Sequence, residues 1–294
     1  MRSLMRAAMI RYLNDSFCQL AMIGSAVLGC LAVLTSIAGT QLNFDSMWFI
    51  IILVLCSLLT ALSVGREFQD GTIRNKLAVG HTKAHVFFAE TIGSMLISVI
   101  CYVLSATPFF LATGEYRSGM SAGEQMRIYF LLLCVYLVFT ALTVSLDFVT
   151  GSRIAAVVGV LLVMGAMAAL SDVQEEILRR SDPETRYITE YHITEEGEKQ
   201  REVERLDYID LSPVTRGTLI WLNHCNTYSS LEHFTGFFNR YAYFGGGPDG
   251  YKQQWERERR EALNTAATDI PPQLVVIAFV PIFACMAFRK KELK

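Results

Sequence analysis

A loop that binds nucleotide phosphates reads GxxxxGK[ST], so that backbone amides and one lysine surround the phosphates. No such run occurs in these 294 residues. The nearest glycine cluster, Gly245-Gly-Gly-Pro-Asp-Gly250, formally fits GxGxxG, but no strand–helix–strand pattern surrounds it and a flexible turn explains it. Ser212, His224 and Asp210 stand close together in the chain, yet Ser212 has no nucleophile-elbow context, so no hydrolase is expected. His81 and His85 have the i,i+4 spacing of a metal pair, but they flank a helix-capping Thr82 and have no Cys or carboxylate beside them. The seven cysteines contain no CxxC pair, which argues against a structural zinc site. The chain is therefore not read as an enzyme, and no cofactor or metal is expected to be bound to it.

The elements that must position the remaining polar residues are membrane helices. The chain is 52% hydrophobic and only 18% charged, with mean hydropathy +0.33. Soluble domains carry about 25% charged residues. The deficit is local. Apolar runs near the roughly 20 residues that a bilayer core requires occur at 17–39, 47–64, 86–111, 128–146, 154–170 and 274–288. The last is short unless residues 270–273 extend it. Period-two alternation is absent, which disfavours a β-barrel. The expected fold is an all-α polytopic membrane protein. It has six transmembrane helices, an N-terminal interfacial helix, and a small α+β external domain between spans five and six. Six of the cysteines fall inside these spans and only Cys225 falls outside, so the external part has no internal disulfide framework. The run after Arg2, Arg6 and Arg11 is too long for a signal-peptide h-region and lacks a clear cleavage site, so no cleaved signal is expected.

Loop charge sets the expected orientation. One side holds twelve Lys and Arg: three before residue 12, Arg66, Arg74, Lys76 and Lys83, then Arg153, then Arg289, Lys290, Lys291 and Lys294. The two short loops of the other side hold Arg117 and Arg127. The basic side is expected to be cytoplasmic, which places both termini inside a cell membrane. Segment 171–269 has 12 basic and 19 acidic residues, but long loops cross largely regardless of charge. The expected division is a lead over 1–15, spans one to five over 16–170, an extracytoplasmic domain over 171–269, and span six with a basic tail over 270–294. Net charge is −2, so no nucleic-acid partner is expected.

Residues 2–14 place Leu4, Ala8, Tyr12, Met5 and Met9 on one arc of a helix. Arg11 edges one side and Arg2 and Arg6 the other. Such a helix can lie in the membrane interface, or it is an ordinary basic lead that fixes orientation. The loop over 65–85 is the most informative stretch. Gly71 allows a sharp turn, and Thr72 is expected to cap a short helix over 73–79. Gly80 can close that helix at C′, and Thr82 can cap the next. Ile73, Leu77 and Val79 are expected to enter a groove on a partner, with Arg74 and Lys76 meeting an acidic rim; the alternative is a plain capped turn.

Glu67-x-x-x-Gly71-Thr72, followed by a short helix and then Thr82-Lys83, resembles the cytoplasmic loop of ABC-2-type ABC transporter permeases. The local match covers about 25 residues; the six spans, the N-terminal amphipathic helix and the insertion between spans five and six extend it to the whole topology. The family often has proline where this chain has Gly80 or His81. The resemblance implies a coupling helix that docks on a separate ABC ATPase subunit, where ATP and Mg would bind. It implies ATPase-coupling roles for Glu67, Gly71, Thr72, Ile73, Arg74, Lys76, Leu77 and Lys83. It also implies pairing with a second permease copy or a related permease, and export rather than import. The substrate stays open.

Charged residues within spans are rare: Glu90 one turn into span three and Asp147 at the end of span four, both expected to reach the interface. Ser57, Thr60, Ser98, Tyr102, Tyr136 and Thr140 either line a pathway or join helices by hydrogen bonds. Small-xxx-small spacings at Ser25/Gly29, Ala155/Gly159 and Gly165/Ala169 fit close helix packing. Beyond span five, a short helix over 172–180, a hairpin of strands 185–194 and 199–209, an apolar stretch 215–223 at the membrane surface and a charged helix over 252–265 are expected. The aromatic run 234–244 is either a lid above an exit path or the small core of this part. A rival reading makes the chain a membrane sensor or interaction protein whose external part recognises a ligand.

Overall fold

The computed structural model describes residues 2–37, 44–112, 121–182, 187–194, 197–204, 208–231 and 252–291. The aromatic run 234–244, the glycine cluster 245–250 and the hairpin turn 195–196 lie outside the described residues. Helices dominate: α1 (Arg2–Asn14), α2 (Ser16–Ile37), α3 (Phe44–Gln69), α4 (Thr72–Ala78), α5 (Lys83–Ala112), α6 (Ala122–Thr150), α7 (Arg153–Arg180), α8 (Pro213–Cys225) and α9 (Lys252–Lys290). Strand β1 (Tyr187–Thr194) pairs antiparallel with β2 (Gly197–Glu204), with Thr194 opposite Gly197 and Tyr187 opposite Glu204. Five helices are long and apolar enough to cross a membrane, over Ile50–Gln69, Lys83–Pro108, Gly123–Thr150, Arg153–Arg180 and Leu263–Lys290. The chain is a helical, multi-pass, membrane-embedded protein. α2 is also apolar over Ser16–Leu31.

Local chemistry starts several of these helices. Asp15 Oδ2 accepts from Cys18 N at 3.4 Å at the start of α2. Ser121 and Glu124 form a reciprocal capping box on α6. Ser152 caps α7, and Ser212 caps α8 with Pro213 at the first helical position. α6 is apolar on all sides, which suits a central helix. It packs against α3, α5, α7 and α9, burying Leu131, Val135, Phe139 and Phe148. α7 and α9 are peripheral and leave wide apolar faces uncovered. Ser25 is buried, and a Cβ on Gly29 would stand 2.7 Å from Ser105 O, so α2 and α5 cross closely there. A Cβ on Gly165 would meet nothing within 4 Å among the described residues, so no close helix crossing is seen there.

Two helices run on where sequence patterning predicts breaks. α7 continues unbroken from its apolar run to Arg180, because no Gly or Pro interrupts 171–180 and Gln174, Glu175 and Glu176 favour helix. α9 joins the charged segment and the last apolar run into one 39-residue helix through Pro271 and Pro272. Prolines inside a helix remove backbone donors and ordinarily break it. Here side-chain hydrogen bonds on both sides of the pair hold the axis. His224 Nδ1 lies 2.5 Å from Asp269 Oδ1, Gln273 Nε2 donates to His224 O at 3.1 Å, and Thr227 donates to Gln273 Oε1 at 2.8 Å.

The four basic segments meet at one end of the bundle. Lys83 Nζ donates to the Arg289 carbonyl at 3.2 Å and also to that of Lys291. Lys291 Nζ donates to Val149 O at 2.9 Å. Phe68, Phe87, Phe148 and Phe288, from α3, α5, α6 and α9, meet edge to face beneath them, with ring centroids near 5 Å from Phe148. Such pairs contribute about 0.5–1.5 kcal/mol each beyond their area.

Candidate functional site

The site is the α3–α4–α5 turn at the basic end. α4 is only seven residues long and cannot hold itself together by propagation alone; its ends are fixed by glycine. Gly71 is the N-cap, in the left-handed region at φ 70°. This corrects the expectation for Thr72, which begins the helix and makes no side-chain cap. A Cβ at residue 71 would carry the steric cost of that region. At the other end Gly80, at φ 99°, donates its N–H to Leu77 O, and His81 N donates to Lys76 O at 3.2 Å. These two bonds make a Schellman closure. Thr82 Oγ1 then accepts from His85 N and starts α5.

Beneath α4 lies a cluster of two acids and two bases drawn from four helices. Arg11 of α1 reaches Glu67 of α3 at 2.6 Å and Glu90 of α5 at 2.5 Å. Lys76 of α4 reaches the same two carboxylates, at 2.6 and 2.7 Å. Tyr12 donates to Glu90 Oε2 at 2.8 Å and accepts from Ser94 Oγ at 2.9 Å. The Arg11 guanidinium also lies 4.3 Å from the centroid of the Tyr12 ring. The Glu90 side chain is 1% exposed and that of Glu67 8%. Burial works against the Arg11 charge, but Tyr12, Glu90 and Glu67 outweigh it and hold the group more basic than usual. Burial, and then the Glu90 charge, push the Tyr12 phenol well above its ordinary range, so Tyr12 stays a donor. The cluster carries no net charge and fastens α1, α3, α4 and α5 at one point.

Several expectations for these residues are corrected. Ile73 does not face a partner: it is 1% exposed and belongs to the core of this chain, because Gly71 turns the first turn of α4 back onto the bundle. Leu77 is half-buried against the same core. Lys76 does not face outward either, since Glu67 and Glu90 hold it below α4. What α4 presents outward is Arg74, Asn75 and Val79, the last 81% exposed. Glu90 does not reach the interface, because Arg11, Tyr12 and Lys76 cover it. Asp147 is fully buried, and neither carboxylate oxygen has a hydrogen-bond partner among the described residues.

α1 docks on protein through the arc that its sequence pattern marks. Leu4, Ala8 and Tyr12 are buried. The Tyr12 ring crosses α5 at Gly93, where an added Cβ would stand 2.6 Å from Cε2. Only a residue without a side chain permits that approach. Ile10 and Leu13, off the arc, are exposed large apolar residues of α1. Arg11 was marked by sequence only as the edge of an amphipathic helix; its pairing with Glu67 and Glu90 is a tertiary fact.

The polar residues of the spans face the interior of this bundle. Ser57, Ser98, Tyr102, Tyr136 and Thr140 are buried, and Thr60 is half-buried. Tyr102 donates to Tyr129 O at 2.6 Å and Thr140 to Tyr136 O at 2.8 Å, while Ser98 Oγ has no hydrogen-bond partner among the described residues. Among the described residues no group of three or more His, Cys, Asp or Glu side chains is arranged to hold a metal ion. No protein-family model, curated protein or solved structure matches the chain.

Proposed function

We propose that the chain is the permease subunit of an ATP-driven transporter of the ABC-2 type, coupled through α4 to a separate ATPase subunit. One observation carries this reading. A short helix, closed by glycine at both ends, protrudes from the basic end of a membrane bundle and is rooted in it by a buried ion cluster. A plain connecting turn requires no such root. A push on Arg74, Asn75 or Val79 reaches α3, α5 and α1 through Lys76, Glu67, Glu90 and Arg11 without crossing a flexible joint. In this reading α2 is the sixth span and the basic end is cytoplasmic. Segment 171–269 is extracytoplasmic. Two permease copies, identical or related, pair above two ATPases, and closure of the ATPases drives export. ATP and Mg are held by the partner subunit.

The test is capture of the full chain from native membranes after photolabelling with azido-ATP. A labelled polypeptide co-purifies with the wild-type chain. It is lost with Arg74→Glu and Val79→Asp, which alter the outward face and leave the core intact. Undiminished recovery with both variants sinks the assignment.

A further inference from the structure

α8 lies at the end of the bundle opposite α4, and its placement is fixed at two heights. Near its start, Arg216 Nη2 stands 3.6 Å from Asp182 Oδ1, just past the end of α7. Just past its end, Asn226 Nδ2 donates to Met167 O at 2.8 Å. α8 therefore runs antiparallel beside the outer part of α7, rather than flat on a surface as its composition suggests. Met167 is one turn inside Leu170, the last residue of the apolar run of α7. On the other flank, His224 and Thr227 bond to Asp269 and Gln273, and the apolar run of α9 starts at Leu274. Both neighbours thus set the end of α8 at the boundary between hydrocarbon and headgroups. Trp221 is five residues above Asn226, or about 7 Å at the helical rise, within the headgroup layer. Asn223 is buried against the bundle, whereas Val214, Trp221 and Leu222 point away from it, Trp221 being 61% exposed.

We propose that this face of α8 docks on the lipids of the leaflet opposite α4, with Trp221 as the interfacial anchor. The two helices that flank α8 expose apolar residues at the same level, Leu170 on α7 and Leu274 and Val275 on α9. Tryptophan is enriched at this depth because its ring is apolar and its N–H is not. The bonds of Arg216, His224 and Asn226 to α7 and α9 keep the helix from leaving the boundary. The inference needs only the multi-pass fold and stands apart from any ATPase. Its test is a chain with Trp221 as the single tryptophan (Trp48→Phe and Trp255→Phe), reconstituted in phosphatidylcholine–phosphatidylglycerol nanodiscs. Lipids brominated near the glycerol end of the acyl chain quench its emission, and aqueous iodide leaves it nearly unchanged. Quenching by iodide overturns the proposal in favour of water exposure. Protection from both quenchers overturns it in favour of a protein cover, such as a second copy. A photoreactive residue at position 221 in the otherwise unchanged chain gives an independent reading: lipid adducts support the proposal, and protein adducts or none overturn it.

Discussion

Glu90→Gln keeps the shape of the side chain and removes its charge from the centre of the ion cluster. Glu90 accepts from Arg11 at 3.2 and 2.5 Å, from Lys76 at 2.7 Å and from Tyr12 at 2.8 Å. Breaking a buried ion pair from one side costs about 3–5 kcal/mol. Glu67 remains 2.6 Å from both cations, and the Arg11 and Lys76 side chains are 26% and 18% exposed, so Glu67 and water recover part of the loss. The expected destabilisation is about 2–3 kcal/mol. At about 2–4 °C per kcal/mol, the melting midpoint falls by about 4–12 °C. The assay is a thermal-shift scan of the purified chain in detergent, run as a double-mutant cycle with Arg11→Met. The cycle is expected to show coupling, because the second change removes a partner that the first has already lost. A midpoint within about 1 °C of wild type, with additive single effects, would refute the claim that these charges hold α1 to the bundle.

The remaining predictions concern geometry and access. Gly93→Leu places side-chain atoms where the Tyr12 ring lies. It costs about 1–3 kcal/mol by overpacking and exposes Arg11 to trypsin, read as faster cleavage after residue 11. Gly71→Ala puts a side chain at φ 70° and costs about 1–2 kcal/mol; hydrogen exchange over 72–79 is expected to quicken about 5–30-fold, and unchanged protection contradicts it. Burial, and then the Asp269 charge, raise the Cys225 thiol pKa, so less thiolate is present at neutral pH than for a free cysteine. In a chain with Cys225 as its only cysteine, an impermeant maleimide in intact cells is expected to react slowly at neutral pH and faster as pH rises. Labelling only after lysis reverses the proposed orientation.

Much of the architecture was written in local patterns. Apolar runs of spanning length mark the membrane helices, and the 2–14 arc marks the face of α1 that becomes buried. Gly80 marks the end of α4 and Thr82 the start of α5. These signals are readable because each depends on residues within one or two turns of one another. The candidate site was legible as a capped loop between two spans, but not as an ion cluster. Arg11 and Glu90 are 79 residues apart, and nothing in either neighbourhood names the other.

Sequence alone determined that this is a membrane chain of long helices, that its basic loops alternate with poorly charged ones, and that a short glycine-bounded helix joins α3 to α5. Hydrophobic periodicity, charge and backbone preference act over short stretches and need no fold to be read. Only the tertiary structure decided which way α4 faces, turning Ile73 and Lys76 inward and leaving Arg74 and Val79 outside. It also carried α9 intact through Pro271 and Pro272 and gathered Arg11, Glu67, Lys76 and Glu90 at one point. The physical reason is the same throughout: each outcome rests on contacts between residues far apart in the chain, which exist only once the helices have packed.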